Sequence, residues 1–168
     1  PTATPVPTAT PVPTVTPVPT ATPIATATPA PSPATGKIVF SSTRDGGDQE
    51  IYSMNADGSN VVRLTTNDFG DLYPAWSPDG SKIAWTSIRG NWDVYVMNAD
   101  GSGEIRLTTD DTQDRQPTWS PDGSKIAFGS GDGEISVMDA DGANKTRLTN
   151  LQDICVNSGN CDIWEPEW

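Results

Sequence analysis

The stretch RQPTWSPDGSKIAF, from Arg115 to Phe128, decides the fold because the chain contains it more than once. Nearly the same stretch, LYPAWSPDGSKIAW, runs from Leu72 to Trp85, and a third version begins as WEPEW and reaches Trp168. Self-similarity at a fixed interval is the sequence signature of a repeat protein. We therefore interpret this part of the chain as successive copies of one unit.

Each copy is predicted to form four short strands. The copies begin at Lys37, Lys82 and Lys125, so the units are 45 and 43 residues long, and the third is lengthened near its end. In the second copy the predicted strands are 82–86, 93–97, 104–108 and 116–119. Four strands in about 43 residues are typical of one blade of a β-propeller.

Asp-Gly turns separate the predicted strands. NADGS and DADGA place Gly58, Gly101 and Gly142 where a hairpin requires a left-handed residue. SPDGS predicts a second turn of this kind, with proline at the first turn position and Gly80 or Gly123 closing the turn.

The first strands, KIVF, KIAW and KIAF, are apolar on consecutive residues, so both faces of each sheet should be covered by neighbouring sheets. The aromatic residues at fixed places in the repeat are expected to pack between blades. We favour this role over a ladder of aromatic rings that binds sugar. These residues are Trp76, Trp119, Trp168, Phe40, Trp85 and Phe128. The predicted class is all-β.

The motif Pro-x-Trp-Ser-Pro-Asp-Gly-x-x-Ile-Ala, followed by a Tyr/Val-x-Met strand and Arg-Leu-Thr, resembles the TolB-like (WD-type) β-propeller repeat family. The resemblance covers residues 36–168, with blades expected at about 36–80, 81–123 and 124–168. It implies a non-catalytic disc that binds proteins or peptides. Members of the family usually have six blades, and Pro-x-Trp is their innermost strand.

Three four-stranded antiparallel blades would be half of a six-bladed ring, and three blades are too few to close one. The terminal segment is therefore expected to act as a clasp strand that completes the opening blade. Its residues are Glu165, Pro166, Glu167 and Trp168. Two interpretations stay open. In the first, the chain is a structural module that packs against other copies as a dimer or filament. In the second, it is a TolB-like binding domain on a surface stalk and belongs to a longer chain.

Residues 1–35 are an uncharged tract of Pro, Thr and Ala with some Val, one Ile and one Ser. Dense proline predicts an extended polyproline II arm or linker. At three residues per turn, one face of the arm is an apolar stripe that includes Val6, Val12, Val15, Val18 and Ile24. The arm is expected to be a spacer whose threonines carry O-glycans, and the alternative is that the stripe docks on another copy.

The net charge of −12 comes from 22 acidic and 10 basic residues, which argues against binding to nucleic acid or to an anionic membrane. No apolar run is long enough to span a bilayer. The sequence starts without Met or a signal peptide, so we expect a processed chain or a piece of a longer one.

Cys155 and Cys161 are six residues apart, and we expect a disulfide between them in an extracellular, cell-surface or periplasmic setting. The chain has no His, which excludes Ser-His-Asp and Cys-His catalysis, so we expect no enzyme, no cofactor and no metal. Asn144-Lys-Thr146 fits a glycosylation sequon. Contacts with a protein partner are expected from residues in the variable loops, namely Trp92, Trp164, Arg44, Arg89 and Arg115.

Overall fold

The computed structural model describes residues 36–131, 133–150 and 166–168, and all regular structure in these residues is β-strand. The strands are β1 Lys37–Ser42, β2 Glu50–Asn55, β3 Val62–Arg63, β4 Asp71–Trp76, β5 Lys82–Ile88, β6 Trp92–Asn98, β7 Ile105–Arg106, β8 Arg115–Trp119, β9 Lys125–Gly129, β10 Ile135–Asp139 and β11 Thr146–Arg147. The described part therefore contains no helix of the kind that crosses a membrane. The predicted all-β class is confirmed.

The strands form three antiparallel sheets. The first sheet has the order β1-β2-β3, the second β4-β5-β6-β7 and the third β8-β9-β10-β11. Each sheet of four takes its first strand from the Pro-x-Trp segment of one sequence copy and the other three from the next copy. The sheets are thus offset from the repeats, and this is why the first sheet has three strands among the described residues.

The Asp-Gly turns are built as the sequence indicates. In the SPDG turn of the second sheet, the amide of Gly80 donates to the carbonyl of Ser77 over 2.8 Å. In the NADG turn, Gly101 has a φ of +89°, and an added Cβ would come within 3.0 Å of the Leu64 carbonyl oxygen. Glycine is required there because the turn both has a left-handed conformation and lies against the preceding copy.

A bulge bends the Pro-x-Trp strands. The register shifts between Leu72 and Ala75 in β4, and the shift recurs in β8. Tyr73 and Gln116, the residues before the prolines, have φ values of +52°. The bulge turns the Gln116 amide toward the second sheet, where it donates to the Thr86 hydroxyl over 3.0 Å.

The second sheet is covered on both faces. On one face, Ile83, Trp85, Tyr95 and Met97 pack with Ile51 of the first sheet. On the other face, a second cluster joins it to the third sheet and consists of Ala84, Val94, Val96, Trp119, Ile126, Phe128 and Met138. Consecutive apolar residues in β5 thus reflect sheets packed face to face.

The outermost strands are shorter than predicted, with only two residues each. In the first sheet, the amides of Leu64 and Thr65 both point to the single carbonyl of Ile51. The ladder ends at that point because the chain turns inward and buries the threonine side chain.

Candidate binding surfaces

A cleft of about 520 Å³ lies between the second and third sheets. Its floor is apolar and consists of Val96, Ile105, Leu107, Trp119 and Ala140. Ile105 is 56% exposed, so apolar surface is accessible from solvent within the cleft. A concave apolar site with a few polar groups at its rim is the usual form of a ligand site.

Carboxylates from the Asp-Gly turns line the rim of this cleft, namely Asp79, Asp122 and Asp141. The Ser120 hydroxyl donates to Asp122 over 2.6 Å, and the amide and hydroxyl of Ser124 donate over 3.0 and 2.8 Å. These hydrogen bonds lower the pKa of the Asp122 carboxyl to about 2.

The rim carboxylate of the preceding copy has the same environment. The Ser77 hydroxyl and then the amide and hydroxyl of Ser81 lower the pKa of Asp79. Asp79 and Asp122 are therefore anionic at neutral pH. They outnumber Lys82, the one basic residue in the lining of the cleft, so the rim has a negative charge that favours cationic groups.

The Arg-Leu-Thr motif has a structural role that is clearest in the first sheet. The buried carboxylate of Glu50 accepts hydrogen bonds from Arg63 Nη2 over 2.7 Å and from Thr65 Oγ1 over 2.5 Å. Thr65 Oγ1 also accepts the Ile51 amide over 2.9 Å. The motif thus fastens the outermost strand to the strand beside it.

The same arrangement recurs in the other two sheets. Asp93 forms an ion pair with Arg106 over 2.8 Å, and the Thr108 hydroxyl accepts the Val94 amide over 3.0 Å. Thr149 donates to Glu134 over 2.5 Å. These acids are buried structural groups, and none of them lines the cleft between the second and third sheets.

A second type of buried carboxylate stands just before the Pro-x-Trp strands. Asp114 accepts Lys145 Nζ over 2.7 Å, and the Ser130 hydroxyl donates to it over 3.2 Å. Burial raises the pKa of Asp114 and is only partly opposed by Lys145. Among the described residues no group of three His, Cys, Asp or Glu side chains has the arrangement of a metal site.

The predicted packing aromatics differ in burial, and the two core clusters between the sheets include Trp76, Trp85, Trp119 and Phe128 but not Phe40 or Trp168. Trp85 and Phe128 are fully buried, and Trp119 is 7% exposed. Trp76 and Phe40 are half-buried, whereas Trp168 is 54% exposed.

Two of the three repeat tryptophans make the same hydrogen bond. Trp119 Nε1 donates to the Ala75 carbonyl over 3.2 Å, and Trp168 Nε1 donates to the Thr118 carbonyl over 3.2 Å. In both cases the acceptor is the residue before the tryptophan of the preceding copy. The indole nitrogen of Trp76 is buried and has no hydrogen-bond partner within the described part of the chain.

The arginines predicted to contact a partner lie on aromatic rings of their own chain. The guanidinium carbon of Arg44 lies 4.7 Å from the ring centroid of Phe40, and that of Arg89 lies 4.7 Å from Tyr95. Arg115 lies 4.6 Å from the ring of Trp92. A cation over a ring face is a stabilising arrangement within the fold, so their predicted contacts with a partner stay a prediction.

Several predicted features lie outside the described residues. They are the arm with its apolar stripe, the Cys155–Cys161 disulfide, Trp164 and Glu165. Residues 166–168 are described and are not in a strand, and Trp168 lies against the third sheet.

Sequence reasoning missed the cleft and the buried acids. A signal for the acids was present, because the carboxylate and its threonine are 15 residues apart in every copy. The cleft has no such signal, since its lining comes from all three copies and depends on how the sheets pack.

A family model described as the TolB beta propeller domain matches residues 16–150. Among curated proteins, the Tol-Pal system protein TolB of Desulfosudis oleivorans is 49% identical over 53 residues, which are 32% of this chain and 12% of the relative. A solved structure assigned as TolB from Agrobacterium tumefaciens is similar with a TM-score of 0.65 and 31% identity, over 71% of this chain and 47% of that one.

The crystal structure of TolB from Acinetobacter baumannii is similar with a TM-score of 0.57 and 25% identity, over 71% of this chain and 31% of that one. The chain thus spans less than half the length of each of these three proteins.

Proposed function

Because the chain belongs to the TolB beta propeller domain family, we propose that it is a non-catalytic module that binds a protein or peptide partner. The observation that carries the proposal is the cleft between the second and third sheets, which combines an apolar floor with an anionic rim. A disc of packed sheets is rigid, and a rigid cleft binds with little loss of conformational entropy.

The cleft fits a peptide that places an apolar side chain on Ile105 and Trp119 and basic side chains beside the rim. Asp79 and Asp122 keep their charge because hydroxyl and amide donors stabilise the carboxylates. Opposite charges at a rim mainly raise the association rate and the specificity, while the buried apolar contact supplies most of the affinity.

We propose that the three sheets are blades and form half of a six-bladed ring. Residues 36–168 then form the repeat domain, and residues 1–35 form an extended polyproline II arm that carries it. The offset between sheets and repeats supports this arrangement, since the first strand of each complete sheet comes from the preceding copy. We place the module in the periplasm or at the cell surface, which the TolB relationship and the two cysteines support.

A binding role has more support than a purely structural role in a self-assembled filament. The family match and the curated relatives concern TolB, and they give no support to an assembly built on the arm. The arm contacts that such an assembly would need lie outside the described residues.

The proposal is tested with synthetic peptides that carry one Leu or Phe between Lys and Arg residues, and with versions in which Glu replaces the basic residues. Fluorescence anisotropy should show binding of the basic peptides only. Ile105→Asp should weaken binding at least about tenfold because it places a charge on the apolar floor. Asp122→Asn should weaken it less and reduce its dependence on salt.

Val62→Asp is the matched control. Val62 occupies the same place in the first copy and is 43% exposed, but it does not line the cleft. Equal effects of Ile105→Asp and Val62→Asp on binding, or equal affinity for the basic and acidic peptides, would refute the proposed site.

A further inference from the structure

A second pocket, of about 470 Å³, lies at the end of the sheets opposite to the cleft. β5 shows this relationship, because it runs from Lys82 in the lining of the cleft to Ile88 in the lining of the second pocket. The β1–β2 and β3–β4 loops form most of its wall, so we call it the loop pocket. The loop pocket and the cleft share no lining residue, and they are separate candidate surfaces.

The loop pocket combines apolar walls with carboxylates. The apolar walls come from Phe69, which is 43% exposed, and from Leu72 and Ile88, which are half-buried. The carboxylates are those of Asp48 and Asp68, and the described lining contains no Lys, Arg or His. Neither carboxylate forms a hydrogen bond or an ion pair with another described residue. The pocket therefore has a negative charge that no cation within the described residues neutralises.

The corresponding loops of the next copy are tied together by a side-chain amide. Asn91 Nδ2, in the β5–β6 loop, donates to the carbonyl of Asp110 over 3.2 Å and to that of Thr112 over 2.7 Å. Asp48 has the place of Asn91 in the preceding copy, two residues before the buried acid of the next strand. A carboxylate has no N–H, so Asp48 cannot make either of these bonds.

The loops have the same relative position in both copies. The amide of Asp71 donates to the carbonyl of Gln49 over 2.7 Å, and the amide of Asp114 donates to the carbonyl of Trp92 over 2.8 Å. The backbones thus approach each other equally at both places. The difference between the copies lies in the side chain at Asp48, which leaves the space between the loops open.

The groups around this space are all hydrogen-bond acceptors. The carbonyls of Asn67 and Phe69 correspond to the two that Asn91 satisfies, and no donor among the described residues reaches them. Asp48 and Asp68 add carboxylate oxygens. A guanidinium group has a positive charge and five N–H donors in one plane, so it can satisfy several acceptors at once. The aliphatic stem of an arginine packs well on apolar walls, and its cation is attracted to the face of an aromatic ring.

We propose that the loop pocket binds an arginine side chain of a partner protein. The guanidinium takes the place that the Asn91 amide has in the next copy, and the apolar walls hold the stem. A hydrated metal ion gains nothing from apolar walls. Segments of this chain outside the described residues do not supply the cation, since residues 1–35 are uncharged and residues 151–165 contain no Lys or Arg.

The test is an NMR titration of the full chain with N-acetyl-arginine amide. Saturable shifts are expected at the backbone amides of Asp48, Phe69 and Gly70, and none at Ile105 in the cleft. N-acetyl-citrulline amide has a similar shape without the charge and should bind at least about tenfold more weakly. The absence of saturable shifts, equal affinity for the two probes, or shifts confined to the cleft would refute the proposal. Calcium chloride that saturates the same amides at a lower concentration than the arginine probe would identify a metal site and refute it too.

Asp48→Asn is the most informative variant, because its amide can donate to both loop carbonyls as Asn91 does. The variant should bind the arginine probe at least about tenfold more weakly and should have a higher urea midpoint. Asp111→Asn is the matched control, since it removes one charge from an exposed loop position outside the pocket and should bind the probe like the wild type. Unchanged binding by Asp48→Asn, or equal weakening by both variants, would contradict the proposal.

Asn91→Asp tests the comparison between the copies. It replaces the donor with a carboxylate and should lower the urea midpoint, because the carbonyls of Asp110 and Thr112 lose their partner. An unchanged midpoint would show that the amide does not tie the loops, and it would remove the basis of the proposal. The probe has no apolar anchor for the cleft, and none of these variants lines it, so failure here is distinct from failure of the proposed function.

Discussion

The indole nitrogen of Trp119 lies 3.2 Å from the carbonyl oxygen of Ala75, and this hydrogen bond joins the third sheet to the second. The same tryptophan contributes to the floor of the cleft and to the core cluster between the two sheets. A single side chain therefore couples the packing of the sheets to the shape of the candidate binding surface.

Trp119→Phe should lower the free energy of unfolding by about 2 kcal/mol, because it removes a hydrogen bond and leaves unfilled volume. Trp76→Phe removes the same atoms from an indole whose N–H is unpaired in the described residues. The free energy of unfolding should therefore fall by less in this variant. Urea denaturation at low protein concentration measures both. Equal losses would show that the inter-sheet hydrogen bond contributes nothing.

Thr108→Val should destabilise the protein by about 2 kcal/mol, although the two side chains have similar shapes. The change leaves the buried Val94 amide without its acceptor and removes the hydroxyl beside Asp93. Thr109→Val is the control at an exposed neighbouring position and should stay within about 0.5 kcal/mol of the wild type. Chemical denaturation of both variants tests whether the Arg-Leu-Thr motif is a structural clamp.

Asp122 should make stability depend on pH in the acidic range. Its folded pKa of about 2 lies below the ordinary value of 3.8, so its ionised form stabilises the folded state above pH 3.8. That contribution is lost as the pH falls from 3.8 through 2. Asp122→Asn should therefore be less stable than the wild type at neutral pH. The difference in free energy of unfolding between the two proteins should become smaller as the solution is acidified.

The measurement is the urea midpoint of both proteins at several pH values between 2 and 7. Asp111→Asn, which removes one negative charge from an exposed position, is the control for the change in net charge. A gap that stays constant with pH would mean that the serine hydrogen bonds to Asp122 do not depend on its charge.

The turns and the inner strands could be predicted because their signals are local. Asp-Gly pairs fix the turn conformation, and consecutive apolar residues such as those around Ile83 indicate a strand covered on both faces. The outermost strands were predicted too long because β-propensity continues through Thr65. The chain instead turns inward there, where a buried carboxylate accepts the threonine hydroxyl.

The candidate surfaces could be predicted only in part. The repeat tryptophans were predicted to lie between sheets, and periodicity alone indicates this. Neither the cleft nor the unpaired N–H of Trp76 has a local signal, because each depends on which copy lies next to which. The arginines were predicted to contact a partner, but whether Arg89 lies on Tyr95 is decided by tertiary packing.

The acceptor in each tryptophan bond is a main-chain oxygen, supplied by Ala75 in one case and Thr118 in the other. Such an acceptor is present whatever side chain occupies the position. The bond between neighbouring sheets therefore depends on the identity of the tryptophan and not on that of the residue that accepts it.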